Sequence, residues 1–512
     1  MRGHWVLPIE SAQSFMIDGS FKFLNESRRL ETVGWDGADC ERLWRYNQHY
    51  FDDLNAKYAS ERYNLHIDLM HDWVVKNRPG QGTGWEPYPT SLRIVNWIKW
   101  SLSGHTMPDE CVQSLAVQTR WLNRKIEWHI LGNHLFANAK ALVFAGLFFG
   151  GEEAAQWLHA GLNILEREIG EQILPDGGHF ELSPMYHSIV LEDVLDLINL
   201  SGAFPQMVGK RHLELLQTAA VGMLRWLDTM CHPDGEIAFF NDSAFNIAPS
   251  PANIKSYAKR LKINPQLLRV KQVEPLLKQC PDTGYAALEV CNAKLLLDVA
   301  LIGPDYLPGH GHADTLSFEL SLFGKRILVN RGTSRYGTGL VRQVERGTAA
   351  HNTVVINNKD SSEVWSGFRV ARRARPFGLF IDNSEASVRV SCSHDGYTRL
   401  AGRPVHWRSW TFTNGTLLIE DQIYGNFKTA VAYFHFHPDI QIVCADENVW
   451  TLNLPECKES ALLVVLKGVP SVMPSVFSPE FGEQLPTKCL AIKFDRTDEV
   501  AVEISWNAND GS

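Results

Sequence analysis

Leu316-Ser317-Phe318-Glu319-Leu320-Ser321-Leu322-Phe323-Gly324-Lys325-Arg326-Ile327-Leu328-Val329 is the stretch whose reading decides the fold class. Apolar residues at 316, 318, 320 and 322 alternate with Ser317, Glu319 and Ser321. Successive side chains of a strand point to opposite faces, so this period of two describes a strand with one buried face. Gly324-Lys325 turns the chain and Ile327 and Val329 resume the alternation, which reads as a β-hairpin. Residues 353–356, 387–390 and 461–466 read as further strands. Short strands with frequent turns between them imply an antiparallel β-sandwich over residues 276–512.

Upstream of residue 275 the period is helical. Leu92, Ile94, Val95 and Ile98 recur at three- and four-residue steps. The same pattern returns over 111–128, 133–149, 154–173, 189–200 and 213–230, with breaks at Pro175-Asp176-Gly177-Gly178 and Pro233-Asp234-Gly235. Residues 1–275 are therefore expected to form an all-α array of helix pairs. No low-complexity linker separates the halves, so they are expected to pack together, and a cleft between domains is a common ligand site.

A chain of 512 residues exceeds one ordinary core and implies two large domains, or three. The hydrophobic share of 45% and the charged share of 21% fit a soluble globular protein. A net charge of -9 argues against general nucleic-acid binding, which needs a basic face. Nine scattered cysteines without a C-x-x-C pair suggest neither a disulfide framework nor a zinc finger. Pro8 and Glu10 interrupt the N-terminus, and the longest apolar run, 141–149, is too short to cross a bilayer. The expectation is a cytoplasmic protein with no transmembrane segment.

Four clusters carry groups suited to chemistry. Trp85-Glu86-Pro87-Tyr88 feeds a helix bearing Arg93 and Asn96 on one face; the aromatics suit sugar rings and Arg93 suits a carboxylate. Gly132-Asn133-His134 opens a helix, where anions are favoured, although Asn133 also reads as a plain cap. The loop His179-Phe180-Glu181-Leu182-Ser183-Pro184-Met185-Tyr186-His187 is dense in titratable groups; Tyr186 reads as a proton shuttle or as a buried phenol. In Gly309-His310-Gly311-His312-Ala313-Asp314 the two histidines would share a strand face, and with His351 they have the make-up of a metal site. Residues 325–375, which include Arg346, hold eleven Lys or Arg against Glu345, Asp360 and Glu363. That asymmetry suits a polyanion, and equally suits charge-protected strand edges.

Taken together, these motifs resemble the heparinase II/III family of polysaccharide lyases, with order and spacing that fit from about residue 40 to 420. Ala350-His351-Asn352-Thr353, His394-Asp395-Gly396-Tyr397 and Asn241-Asp242 add to the likeness. The resemblance implies an N-terminal incomplete (α/α) toroid, a C-terminal antiparallel β-sandwich and a cleft between them. It implies β-elimination on an acidic polysaccharide or oligosaccharide. In that reaction the uronate carboxyl is neutralised, a base takes the C5 proton and an acid protonates the departing O4 oxygen. Asn133 matches the carboxyl-binding role, Tyr186 and His134 the base and acid roles, and His310 a further catalytic histidine. Trp85, Tyr88, Arg93, Asn96, His187 and Arg346 match substrate contacts.

The resemblance also implies a zinc site at His312, Asn330 and His351. Here an Asn stands where metal-binding relatives use Asp, and a hydrogen-bonded cluster without metal is the competing picture. With no export signal read, the likeness points to surface-polysaccharide metabolism: capsule, lipopolysaccharide or exopolysaccharide. The alternative function is a catalytically silent glycan-binding or assembly protein. Glycoside hydrolysis would need a carboxylate pair, for which Glu181 and Asp314 are the candidates.

Overall fold

The computed structural model describes residues 3–265, 275–384, 386–495 and 497–507. Two compact units emerge. The first holds the N-terminal residues through Ile173 together with Ser188–Leu224 and Ala252–Pro265; the second holds Leu174–His187, Arg225–Pro251 and the C-terminal sheets. The expected boundary at 275 is crossed in this grouping by 174–187 and 225–251, and residues 266–274 lie outside those described. Two stretches from the helical half belong with the sheets because their polar groups are satisfied there. Asp176 accepts from the Thr283 amide and hydroxyl, and His232 pairs with Glu319 and Ser321.

The first unit is built from helices, among them Pro87–Leu102, Asp109–Arg124, Gly132–Phe148 and Glu152–Gln172, close to the spans their periodicity predicts. Gly132–Phe148 is largely apolar and buried along nearly its whole length, as a central helix must be. Small residues let its neighbour approach. A Cβ on Gly146 would lie 2.6 Å from the Leu158 nitrogen, and one on Gly161 would lie 2.8 Å from the Ala139 oxygen. Lys140 stays charged in this interior because Asp193 and Asp196 accept from it at 2.6 and 2.5 Å, and Lys99 lies 2.5 Å from Asp196.

The second unit contains an eight-stranded, a five-stranded and a four-stranded sheet, every strand pair antiparallel. Leu295, Leu320, Trp410, Ile419, Phe434 and Ile504 from all three sheets share one apolar core. The deciding hairpin is present as Phe318–Leu322 and Lys325–Leu328. Its turn is Phe323-Gly324, one residue earlier than expected, with φ of 51° and 79°; two left-handed residues in a two-residue loop match the twist of the strands. The polar face is not solvated as alternation suggested. Ser317, Glu319 and Ser321 are buried, because the 225–251 segment covers them and His232 bonds to both Ser321 (2.7 Å) and Glu319 (2.8 Å). Among the described residues no helix is long and apolar enough to cross a membrane.

Buried titratable groups set the acid stability. Burial, with Arg93 nearby, pulls the His49 pKa from 6.5 to about 3. Burial would raise the Asp421 pKa, but Arg408 and His406 outweigh it and hold that carboxyl at about 2. In both cases the unfolded chain binds protons that the folded chain refuses, so acid destabilises. The His49 contribution is complete above about pH 6.5 and declines toward about pH 3; the Asp421 contribution declines below about pH 4. Relative to His49→Gln, the parent should lose more melting temperature as pH is lowered from about 6.5 toward about 3, and an equal or smaller loss in the parent would contradict the His49 assignment.

Candidate functional site

In the sheet-bearing unit, Asp242 is the centre of a buried polar cluster. Its carboxylate accepts from His310 Nδ1 at 2.9 Å, from His312 Nε2 at 2.8 Å and from both terminal nitrogens of Arg342. Burial alone would raise its pKa, but the Arg342 charge and the histidine hydrogen bonds hold it well below the usual carboxylate range. With Nδ1 donating to Asp242, the His310 Nε2 is turned toward Glu181, 3.5 Å away. His310 and His312 lie in a loop, not in the expected strand, yet they reach opposite oxygens of one carboxylate.

Tyr186 lies on this cluster. Its ring centroid is 3.8 Å from that of His310, and its hydroxyl is 2.8 Å from the Tyr336 hydroxyl. The local sequence places it there. Ser183 caps the helix Pro184–Ala203 by accepting from the Tyr186 amide at 3.1 Å, and Pro184 occupies the first helical position. The same Ser183 hydroxyl donates to the Asp242 carbonyl at 2.5 Å. One short turn thus ties the phenol to the residue that holds the imidazole.

The helical unit presents a second set. Asn133 and His134 begin the helix Gly132–Phe148, whose N-cap is Leu131 without a side-chain cap, so Asn133 is not serving as a cap. Asn133 hydrogen-bonds Tyr88 instead, and burial beside Asp193 and Glu127 pushes the Tyr88 hydroxyl pKa up. The Tyr88 and His134 rings stack at 4.2 Å. Glu127 accepts from His134 Nδ1 at 3.1 Å and is itself held by Asn138. His134 therefore keeps its Nε2 available.

Other expected substrate contacts are consumed by the fold. Arg93 is fully buried, lies over Trp73 at 3.8 Å, and donates to Gln118 and to the His49 carbonyl. Asn96 donates to the Tyr50 carbonyl and Asp52. Trp85 is buried against Trp73 and Trp121. His187 is buried against Trp226 at 4.4 Å. Arg346 is buried and donates to the carbonyls of Gly311, Ser366, Gly367 and Arg369. These five corrections share a reason: side chains with sugar-binding chemistry also suit the inside of a helical or loop packing. The basic segment is likewise mostly paired, Arg326 with Asp234, Arg372 with Glu363, and Arg373 and Arg375 with Asp305.

Sequence reading gave Asp242 no role beyond the likeness and missed Arg342, Tyr336 and Glu127. Tyr336 carried a signal, as an aromatic in the glycine-rich run Arg335-Tyr336-Gly337-Thr338-Gly339. Glu127 and Arg342 carried none, since their partners are distant in sequence or on another element.

His312, Asn330 and His351 fit a metal in part. The two imidazole centroids are 5.2 Å apart. Among the described residues His312 Nδ1 is buried without a hydrogen-bond partner, and the His351 ring is buried beside it. Burial holds both rings neutral, His312 at about 4 and His351 well below 6.5; zinc needs that neutral form. Asp242 behind His312 is the kind of carboxylate that orients a metal-bound histidine. No group of three His, Cys, Asp or Glu suited to a metal occurs among the described residues, so the third donor would be the Asn330 amide.

Residues 14–268 match the model described as heparinase II/III N-terminus, and residues 273–507 match heparinase II/III-like, C-terminal. A heparin-sulfate lyase of Bacteroides stercoris is 25% identical over 474 residues, covering 81% of this chain and 67% of the relative. The crystal structure of a heparinase III superposes with a TM-score of 0.72 at 18% identity, covering 92% of this chain and 77% of that one. A heparan sulfate lyase from Pedobacter heparinus gives 0.63 at 17% identity, with 97% and 82% covered.

Replacing Asp242 by Asn would leave Arg342 buried opposite a neutral amide. Breaking a buried pair in this way costs about 3–5 kcal/mol. Urea unfolding followed by circular dichroism should show a loss of that size; a loss under about 1 kcal/mol would contradict the charged assignment.

Proposed function

The chain belongs to the heparinase II/III-like family, and we propose that this polysaccharide lyase cleaves a uronate-containing glycosaminoglycan by β-elimination. Its architecture is a helical (α/α) toroid followed by an antiparallel β-sandwich, as in the solved lyases it superposes on. The observation that carries the proposal is the stacking of Tyr186 on a histidine that Asp242 holds by Nδ1. A phenol held against an oriented imidazole brings two titratable groups to one place, and sugar binding alone would not need both.

Elimination requires that the uronate carboxyl be neutralised, so that C5–H becomes acidic. Asn133, an amide donor at a helix start, is assigned that role. Tyr186 and His134 divide base and acid duties according to whether the C5 hydrogen and the O4 leaving group lie on the same face of the ring. His310 stabilises charge as it develops, and donors aimed at the enolate-like intermediate supply much of the rate. The names of the relatives point to heparan sulfate-type chains. Uronate-bearing capsule, lipopolysaccharide or exopolysaccharide offers the same bond and is included in the proposal.

Zinc is proposed as a structural ion held by His312, His351 and Asn330. When bound it would cross-link their loops beneath His310, and no proton transfer is assigned to it.

Elimination creates a C4–C5 double bond that absorbs in the ultraviolet. Incubation with heparan sulfate and other uronate polymers should raise that absorbance. Tyr186→Phe should lower turnover by about 10²–10⁴ while affinity stays within about tenfold. Full turnover in that variant removes Tyr186 from the mechanism. Binding without absorbance for every polymer would favour a silent glycan-binding protein.

Metal analysis of the purified protein should find about one zinc per chain, with melting raised by zinc over chelator in the parent and not in His351→Ala. His312→Ala should lower melting temperature more than turnover. Metal-free protein with zinc-independent melting would leave the hydrogen-bonded cluster as the correct picture.

A further inference from the structure

The short hairpin Val364–Trp365 and Arg369–Val370 leaves its aromatics outside the fold. Trp365 is 55% exposed and Phe368 is 42% exposed, two large aromatics on one short hairpin. The hairpin is not loose. Arg342 and Arg346 donate to the carbonyls of Ser366, Gly367 and Arg369 at 3.1 to 3.3 Å. Gly367 is pressed against the neighbouring loop; a Cβ there would lie 2.7 Å from the Gly337 carbonyl oxygen. Phe368 stands edge-on to Tyr336 at 5.1 Å and to His310 at 5.9 Å. Phe368 is thus held beside His310, and Trp365 is presented on the same fixed hairpin.

Charge identifies what they receive. Trp365 and Arg369 are directly opposed across the hairpin, so their side chains share a face. Arg372 is paired with Glu363, and Arg373 and Arg375 share Asp305, whereas no ion pair reaches the exposed Arg369 or Arg335 among the described residues. A flat apolar ring next to an unpaired guanidinium matches a pyranose that carries a carboxylate or sulfate. We propose that the 364–370 hairpin is a sugar subsite next to the reacting linkage, with an anionic pyranose stacked on Trp365 and its charged group on Arg369. Phe368 fixes the subsite against His310. The same Arg342 that anchors the hairpin grips Asp242, so the subsite and the catalytic histidine share one support.

This inference rests on the lyase reading, and the test separates the two. A heparan sulfate hexasaccharide is titrated into Tyr186→Phe protein, alone and with Trp365→Ala or Arg369→Gln added. Trp365→Ala should weaken binding about tenfold. Arg369→Gln should weaken it about fivefold and flatten its salt dependence. Phe380→Ser, on the exposed strand Pro376–Asn383, should bind like its parent, and all variants should melt within a few degrees of it. If the parent binds and both variants bind within about twofold of it, the subsite is wrong and the lyase reading stands. If the parent does not bind the hexasaccharide, the subsite is wrong as stated; if none of the uronate polymers is cleaved by the unsubstituted protein either, the lyase reading falls with it.

Discussion

A single buried carboxylate organises the sheet-bearing unit. Asp242 has no exposed surface, and an isolated charge in that position would cost several kcal/mol of desolvation. Arg342 offsets that cost with a two-pronged contact, and two histidines complete the shell. The arrangement leaves little freedom. His310 must present Nδ1 inward, His312 must present Nε2, and the Arg342 guanidinium is fixed in the plane that also reaches the Gly367 carbonyl. Through Ser183, the Asp242 backbone also fixes the turn that carries Tyr186.

The helical unit solves the same problem with different residues. Glu127 stands to His134 as Asp242 stands to His310: a buried carboxylate that accepts a hydrogen bond from Nδ1 and leaves Nε2 facing away from it. Stacking also recurs, with Tyr88 on His134 and Tyr186 on His310. A neutral imidazole can donate from only one ring nitrogen, so a carboxylate on one side determines what the other side can do. Orientation by a hidden acid is therefore the shared device, and the exposed groups inherit their roles from it.

Much of the fold was legible because periodicity reports burial. The helices around residues 92–98 and 133–149 and the hairpin at 318–328 follow directly from spacing. Where burial comes from a distant segment, spacing is silent: Ser317, Glu319 and Ser321 look solvent-facing until the 225–251 stretch covers them. The site divides in the same manner. Tyr186, His134 and His310 stood out because titratable residues are dense around them. Arg93, Trp85 and Arg346 stood out for the same reason and yet serve packing, since chemical type does not reveal exposure. Glu127 and Arg342 were invisible because their roles depend wholly on three-dimensional partners.

The most direct measurement is the ring protonation of His310, read from nitrogen-15 shifts in histidine-labelled protein and assigned by the signal lost in His310→Gln. The Asp242 contact predicts that the neutral ring carries its proton on Nδ1 and leaves Nε2 bare. A neutral ring protonated at Nε2 with bare Nδ1 would contradict the account, because nothing would then hold the imidazole in place beside the Tyr186 phenol.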